Sequence, residues 1–213
     1  GVKGQYLDEW VAGVEYEVID DMKLGLAYQN RRISRVIEDV SLDNANTYVV
    51  SNPGEWSAEE EKKFQDKIDA EQDPERKGRL MAQLKMFQGI RIFDKPVRNY
   101  DALQLTMTRR FSSKAYMQGS YTYSRSVGNY PGLISYDDQV VLPNNSTQYD
   151  LIELLSNKFG PLPQDRPHYV KLDAYYTADL ERHGDLTMGI RFRALSGAPV
   201  NALASHYLYG SNQ

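Results

Sequence analysis

Few side chains in this sequence have the type and spacing needed for metal or acid–base chemistry, and the three histidines come first. His168, His183 and His206 lie too far apart along the chain to form a local metal-binding motif. Each one falls at a predicted strand end, turn or loop, where surface or interfacial histidines are common. We therefore predict no metal site built on histidine.

Acidic residues in one predicted loop have the oxygen ligands that calcium prefers. These residues are Asp137, Asp138, Asp150 and Glu153. Their positions lack the regular ligand spacing of a calcium-binding loop. The sequence therefore favours an ordinary solvated loop over a calcium site, and we predict no bound metal.

Motifs for nucleophilic or phosphate chemistry are missing from the sequence. The chain has no cysteine, no Gly-x-Ser-x-Gly turn and no glycine-rich phosphate loop that opens a helix. The net charge is −4 and the lysines and arginines are scattered, which argues against a nucleic-acid partner. We expect a protein without enzymatic activity and without a cofactor.

A different set of charged residues alternates with apolar residues along four predicted strands. The set consists of Glu15, Glu17, Lys23, Lys171, Asp173, Arg191 and Arg193. Side chains alternate between the two faces of a strand, so these residues would share a polar face and line a wet lumen. The two arginines are the best suited to hold an anionic group of a ligand or of another protein segment. Wall solvation with mutual salt bridges is the alternative interpretation.

The elements that must position these charges are β-strands, because the apolar residues recur at every second position. Between Tyr100 and Arg125 the two faces of a hairpin can be read directly from the sequence. One face carries Leu103, Leu105, Met107, Met117, Tyr121 and Tyr123. The other carries Gln104, Thr106, Thr108, Gln118, Ser120, Thr122 and Ser124. Each strand therefore has one apolar and one polar face.

The same pattern predicts three hairpins with an asymmetric arrangement of connections. Strands are expected near 9–19, 22–37, 97–111, 115–128, 167–180 and 185–196. Short turns are expected at 20–21, 112–114 and 181–185, and long loops at about 38–96 and 128–166. Short turns at one edge and long loops at the other are typical of outer-membrane barrels.

Helices are predicted only within the long loops. Ser57 and Glu60 form a capping box, and Asp73 followed by Pro74 starts a second helix. A helical hairpin over about 57–88 therefore extends from one loop, as a self-packed solvated unit or as a coiled-coil partner site. A short helix is also predicted over about Tyr149 to Phe159.

These observations predict an all-β membrane protein, an antiparallel up-and-down transmembrane β-barrel segment with a helical insertion in one long extracellular loop. The mean hydropathy of −0.60 is compatible with this class, because polar lumen positions dilute the signal of each strand. A soluble β-sandwich is the alternative, since its strands also alternate. In a sandwich the apolar faces would pack together in a core.

Several stretches resemble TonB-dependent receptors, in particular their large Oar-like branch. The hairpin motifs are Tyr100-Asp101-Ala102-Leu103-Gln104-Leu105-Thr106, Arg110-Phe111 and Gly119-Ser120-Tyr121-Thr122-Tyr123-Ser124. The Oar-like motifs are Gln148-Tyr149-Asp150-Leu151, Phe159-Gly160-Pro161-Leu162-Pro163, Asp165-Arg166-Pro167-His168, Lys171-Leu172-Asp173 and the segment Phe192 to Asn201. The resemblance covers about residues 1–50 and 90–213, and the helical loop is its least typical part.

The resemblance implies about six strands of a 22-stranded barrel, filled by a plug domain and energised by a TonB complex. Residues 1–213 would form part of one barrel domain in the bacterial outer membrane, in contact with its lipid. Neither a plug nor a TonB box is found, and Gln213 is not the usual terminal aromatic residue, so an interior portion of the wall is expected.

The resemblance further implies a transporter that moves an unknown ligand across the outer membrane. A surface adhesion or recognition module, which displays the long loops to a partner, is the alternative function. A soluble ligand-binding β-domain is a third interpretation. Fold alone does not identify the ligand.

Overall fold

A computed structural model describes residues 2–43, 45–132 and 146–200, and places nine strands and two helices in them. The strands are β1 (Tyr6–Ile19), β2 (Met22–Arg35), β3 (Glu38–Ser41), β4 (Tyr48–Ser51), β5 (Arg98–Ser112), β6 (Ala115–Gly128), β7 (Gly160–Pro161), β8 (His168–Asp179) and β9 (Asp185–Leu195). The helices are α1 (Ala58–Ala70) and α2 (Pro74–Ile90). Six long strands form one sheet in the order β1-β2-β5-β6-β8-β9, and every neighbouring pair is antiparallel.

Short turns join the strands of each hairpin at one edge of the sheet. Asp20 and Asp21 connect β1 to β2, and Asp21 adopts a positive φ of 60° that aspartate tolerates better than most residues. Ser113 and Lys114 connect β5 to β6. A 3₁₀ turn over Glu181–His183 followed by Gly184 connects β8 to β9. At the opposite edge the chain leaves the sheet through long connections.

The first long connection contains a β-hairpin and a helical hairpin. β3 pairs with β4 as a separate two-stranded sheet, within a segment for which the sequence predicts a long loop and no strand. The Ser57 side chain accepts a hydrogen bond from the Glu60 backbone N–H at 3.2 Å, and Glu60 accepts from the Ser57 N–H at 2.9 Å, so the capping box is present. Asp73 caps α2 through the Glu75 N–H at 3.0 Å.

Aromatic contacts hold the two helices together and against the preceding chain. The Trp56 ring lies 6.4 Å from Phe64 on α1 and 5.2 Å from Phe87 on α2, between ring centroids. Phe64 and Phe87 also meet at 5.5 Å, and Ile68 is fully buried. The helical hairpin therefore packs on itself, as the solvated interpretation of its sequence expects.

The main apolar core lies in the long connections and not in the sheet. It consists of Val36, Val40, Ile90, Phe93, Tyr130, Tyr149 and Leu155. Among the described residues, Ala102 is the only buried apolar side chain of the six long strands. We call the core and the segments around it the loop region, namely residues 36–97, 129–132 and 146–167.

Two details of the loop region differ from the sequence prediction. The helix expected over Tyr149 to Phe159 is wrong: the structure has 3₁₀ turns at Thr147–Tyr149 and Ile152–Leu155. Leu154 and Leu155 are both buried. The short 3₁₀ turns already bury these two side chains, so the chain does not form a longer helix here. Strand β2 ends at Arg35, before the predicted Ile37, because Val36 turns into the core.

No helix in the described part of the chain has the length and apolar character needed to cross a membrane.

Candidate functional site

The apolar residues of all six long strands meet on one face of the sheet. Opposing residues form a continuous row across it: Val14, Leu26, Leu105, Tyr121, Val170 and Ala194. A second row runs through Tyr16, Leu24, Met107, Gly119, Leu172 and Phe192. The pleat keeps each row on one side, so the alternation in the sequence becomes a two-dimensional apolar surface.

No layer formed by the described residues covers this apolar face. Leu105, at the centre of the sheet, is 49% exposed, and Ile190 on β9 is 59% exposed. The β-sandwich alternative requires these rows to be buried against a second sheet, and their exposure is inconsistent with it. An apolar face of this size, open along its whole width, needs lipid or another apolar partner.

The seven predicted charged residues all lie on the opposite, polar face. Glu15, Lys171 and Arg193 occupy one row, and Glu17, Lys23, Asp173 and Arg191 occupy the next. The structure does not bring them together as one site, because they form two groups at opposite sides of the sheet. Their role in facing a lumen or a ligand stays a prediction.

The group on β1 and β2 is acidic and weakly paired. The Lys23 Nζ lies 3.6 Å from the Glu15 Oε1, and both side chains are more than half exposed. Glu17 accepts a hydrogen bond from the Asp21 backbone N–H at 3.1 Å and so supports the short turn. Exposed pairs of this kind add little stability, so the charges remain available to solvent or to a ligand.

The group on β8 and β9 is basic and more tightly connected. Asp173 accepts from the Arg191 Nε at 2.9 Å and from the Arg193 Nη2 at 2.7 Å, so one carboxylate binds two guanidinium groups. The Lys171 Nζ lies 4.5 Å from the centre of the Tyr169 ring. The three positive charges of Lys171, Arg191 and Arg193 therefore exceed the single negative charge of Asp173, and this group favours anions.

Uncharged polar side chains fill the polar face between the two groups. They are Gln104, Thr106 and Thr108 on β5, and Gln118, Ser120 and Thr122 on β6. Gly25 on β2 lies opposite Thr106, and a Cβ at this glycine would overlap the threonine hydroxyl. The centre of the face is therefore a neutral strip of hydroxyl and amide groups.

A buried carboxylate organises the loop region and has no obvious signal in the sequence. Glu38 is fully buried and accepts three hydrogen bonds: from the Tyr130 hydroxyl at 2.9 Å, and from the Ser146 N–H and hydroxyl at 3.1 Å. Burial raises the pKa of Glu38 above its ordinary value, and the hydrogen bonds oppose this shift. These contacts connect β3 to Tyr130 and Ser146, which lie 92 and 108 positions further along the chain.

The side chains with potential for metal chemistry are dispersed. His168, at the start of β8, stacks on Tyr121 and makes a tilted ring contact with Tyr123, and His183 lies in the turn before β9. Asp150 is buried, whereas Glu153 is exposed on the next turn. Asp137, Asp138 and His206 lie outside the described residues. Within residues 2–43, 45–132 and 146–200, no three His, Cys, Asp or Glu side chains form a cluster that could hold a metal ion.

An antiparallel up-and-down wall with one open apolar face, one polar face and long loops at a single edge defines a class of protein, the outer-membrane β-barrels. The family of outer membrane beta barrel domains matches residues 1–203. The chain belongs to this family, and it is an Oar-like segment of a barrel in the bacterial outer membrane.

A curated relative gives a more detailed comparison. The chain is 35% identical over 208 residues to the TonB-dependent transporter Oar of Myxococcus xanthus. The match covers 98% of this chain and 17% of the length of that relative. No solved structure matches the chain.

Proposed function

We propose that this chain forms part of the wall of a TonB-dependent transporter, through which a ligand crosses the outer membrane. The observation that carries the proposal is the two-faced sheet, with apolar rows for lipid and polar rows for a lumen. The relative's name, TonB-dependent transporter, supports the energised mode of transport.

In this proposal the wall contributes a surface and no bond chemistry. From β1 to β9 the polar face presents an acidic group, then a neutral strip of hydroxyl and amide groups, then a basic group, one after another around the lumen. A plug domain occupies the lumen at rest, and the TonB complex drives its rearrangement. Loops at the far edge make the first contact with the ligand.

The proposal can be tested without knowing the ligand, because gating changes the access of water to the polar face. Single cysteines at Thr122 on the polar face and at Tyr123 on the apolar face of β6 are compared in whole cells. A membrane-impermeant thiol reagent should label position 122 faster in energised cells than in cells treated with a protonophore. Position 123 should stay unlabelled in both. Equal labelling of position 122 with and without energy would contradict gated passage.

A second candidate function is supported by the separate core of the loop region. A surface adhesion or recognition module would use this region to bind a partner, and the sheet would only display it. The Gly54 N–H donates to the Ile90 carbonyl oxygen at 3.1 Å, so the helical hairpin can be replaced by a short linker. Loss of uptake with intact partner binding favours transport, and the reverse favours adhesion.

A further inference from the structure

The loop region contains a cavity of about 890 Å³, and its lining residues lie outside the six long strands. Its walls come from three segments that are distant in sequence: the β3–β4 hairpin, the C-terminal half of α2 with the residues after it, and residues 150–153, which lead into the second 3₁₀ turn. A volume of this size is in the range of pockets that hold small organic ligands.

The walls of the cavity are held in place by the core beneath them. Phe93 and Leu151 are buried residues that also line the cavity. The β3 wall is fixed by Glu38, whose carboxylate binds Tyr130 and Ser146. The cavity is therefore largely preformed, which reduces the entropy lost when a ligand binds.

Apolar side chains form much of the lining and remain accessible to solvent. Leu42 comes from the β3–β4 hairpin, Ile92 follows α2, and Ile152 belongs to the 3₁₀ turn. All three are more than one third exposed. Their positions on different walls suit a ligand with an apolar body that contacts several sides at once.

Most charges around the cavity are already engaged within the protein. Asp43 accepts from the Thr47 N–H at 2.8 Å and from the Thr47 hydroxyl at 2.6 Å. Arg91 pairs with Glu61 at 2.6 Å between nitrogen and oxygen. These groups shape the rim but have little capacity left for a ligand.

Two charges differ from the others. Lys85 on the α2 wall and Glu153 on the turn are exposed and line the cavity, and neither side chain makes a hydrogen bond or ion pair to another described residue. Their opposite signs on separate walls match a ligand with an anionic and a cationic end. An apolar body between a carboxylate and an ammonium group is the chemistry of a short unblocked peptide.

We propose that this cavity binds short peptides with apolar side chains and free termini, with Lys85 holding the carboxylate and Glu153 the ammonium group. This proposal depends on the proposed function in one respect: the loop region must face the outside of the cell, where it can meet short peptides. Binding by the purified protein needs neither energy nor the TonB complex, so the two proposals can fail separately.

Isothermal titration calorimetry on the full-length protein in detergent tests the proposal, with trileucine as the probe. Trileucine should bind, and the analogue with an acetylated amino terminus and an amidated carboxyl terminus should bind about tenfold more weakly, since two exposed charge contacts are lost and each is worth roughly a factor of two to five. Ala82→Trp, which places an indole ring in the cavity and keeps both charges, should obstruct the site and block binding. Absence of trileucine binding would overturn the proposal.

Each of the two charges can be tested separately, by combining a variant that lacks the side-chain charge with a peptide that lacks the matching terminal charge. Lys85→Gln should weaken trileucine but not its carboxyl-terminal amide, and Glu153→Gln should weaken trileucine but not its N-acetyl form. Lys77→Gln, on the same helix outside the cavity lining, is the control and should bind as the wild type does. Equal loss with both peptides, or no loss in Lys85→Gln, would refute the assignment of the two charges.

Discussion

The six long strands and the loop region of this chain differ in how many apolar side chains they bury. Among the described residues, Ala102 is the only buried apolar side chain of the six strands, whereas the loop region has a packed core that includes Ile90, Phe93 and Tyr149. The sheet exposes Leu105 and Ile190 on a face that no layer within the described part of the chain covers. The sheet therefore depends on its surroundings, and the loop region depends on itself.

This difference follows from the solvent that each region meets. In a bilayer the acyl chains cover the apolar face, so the strands need an apolar outside and saturated backbone hydrogen bonds, and no internal core. The loop region meets water on its outside, so its apolar side chains must pack together. One chain thus follows two opposite burial rules, divided at the edge of the sheet.

Removing a core side chain from the loop region should have the largest effect. Phe93→Ala should destabilise that region by about 3–5 kcal/mol, because the cavity left behind cannot refill. Hydrogen exchange of the α2 amides would measure it. Phe192→Ala, on the apolar face of β9, is the matched control and should leave the protection of α2 unchanged. Equal loss of α2 protection in both variants would contradict the separation of the two regions.

A charge on the apolar face of the sheet should have the next largest effect. Leu105→Arg should cost about 2–4 kcal/mol of stability in a bilayer, since the guanidinium group would lie among acyl chains. Thr106→Arg, one residue along β5, should be mild because it faces the polar side. Urea titration of the protein in lipid vesicles measures the free energy of unfolding of both variants. Similar losses of stability in the two variants would count against the membrane assignment.

A glycine at the boundary between the two regions should give a smaller effect. A Cβ at Gly128 would overlap the carbonyl oxygen of Val97, so Gly128→Ala should destabilise by about 1–3 kcal/mol. At Gly119 the nearest atoms lie 3.8 Å from the new Cβ, and Gly119→Ala should be close to neutral. Thermal unfolding in detergent compares the melting temperatures of the two variants. Equal melting temperatures would contradict the close approach of the Val97 carbonyl oxygen to Gly128.

The buried carboxylate should make the loop region sensitive to pH. Burial raises the pKa of Glu38 in the folded protein above the reference value of 4.5, so the native state binds its proton more tightly than the unfolded state. The stability from this group is fully present below the reference value of 4.5 and is lost as pH rises through the higher pKa of the folded protein. The protection of β3 and β4 amides should therefore fall between acid and neutral pH.

Glu38→Gln removes the titrating group and should flatten this profile. Glu59→Gln changes an exposed glutamate on α1 and should keep the profile of the wild type. Hydrogen exchange at matched pH values, corrected for intrinsic rates, is the measurement. A profile in Glu38→Gln as steep as in the wild type would show that another group is responsible.

The sheet could be predicted from the sequence because its signals are local. Alternation at Leu103, Leu105 and Met107 identifies a strand and its faces without any knowledge of distant residues. The helix starts at Ser57 and Asp73 are equally local, since a cap satisfies N–H groups within three residues. The number of strands in the whole barrel stays a prediction.

The loop core could not be predicted, because its contacts join residues far apart in the chain. Glu38 meets Ser146 across 108 positions, and neither residue carries a motif. A short helix is predicted over about Tyr149 to Phe159, but the structure has 3₁₀ turns there, with Leu154 and Leu155 buried. The division of the seven charged residues into an acidic and a basic group likewise depends on the strand order.

The orientation of β5 is the most direct test of the two-faced wall. Single nitroxide labels at positions 103 to 108 of the full-length protein in a bilayer report access to oxygen, which enriches in lipid, and to a water-soluble nickel complex. The account predicts strict alternation, with oxygen favoured at 103, 105 and 107 and nickel favoured at 104, 106 and 108. Uniform access along the strand, or the opposite alternation, would contradict it.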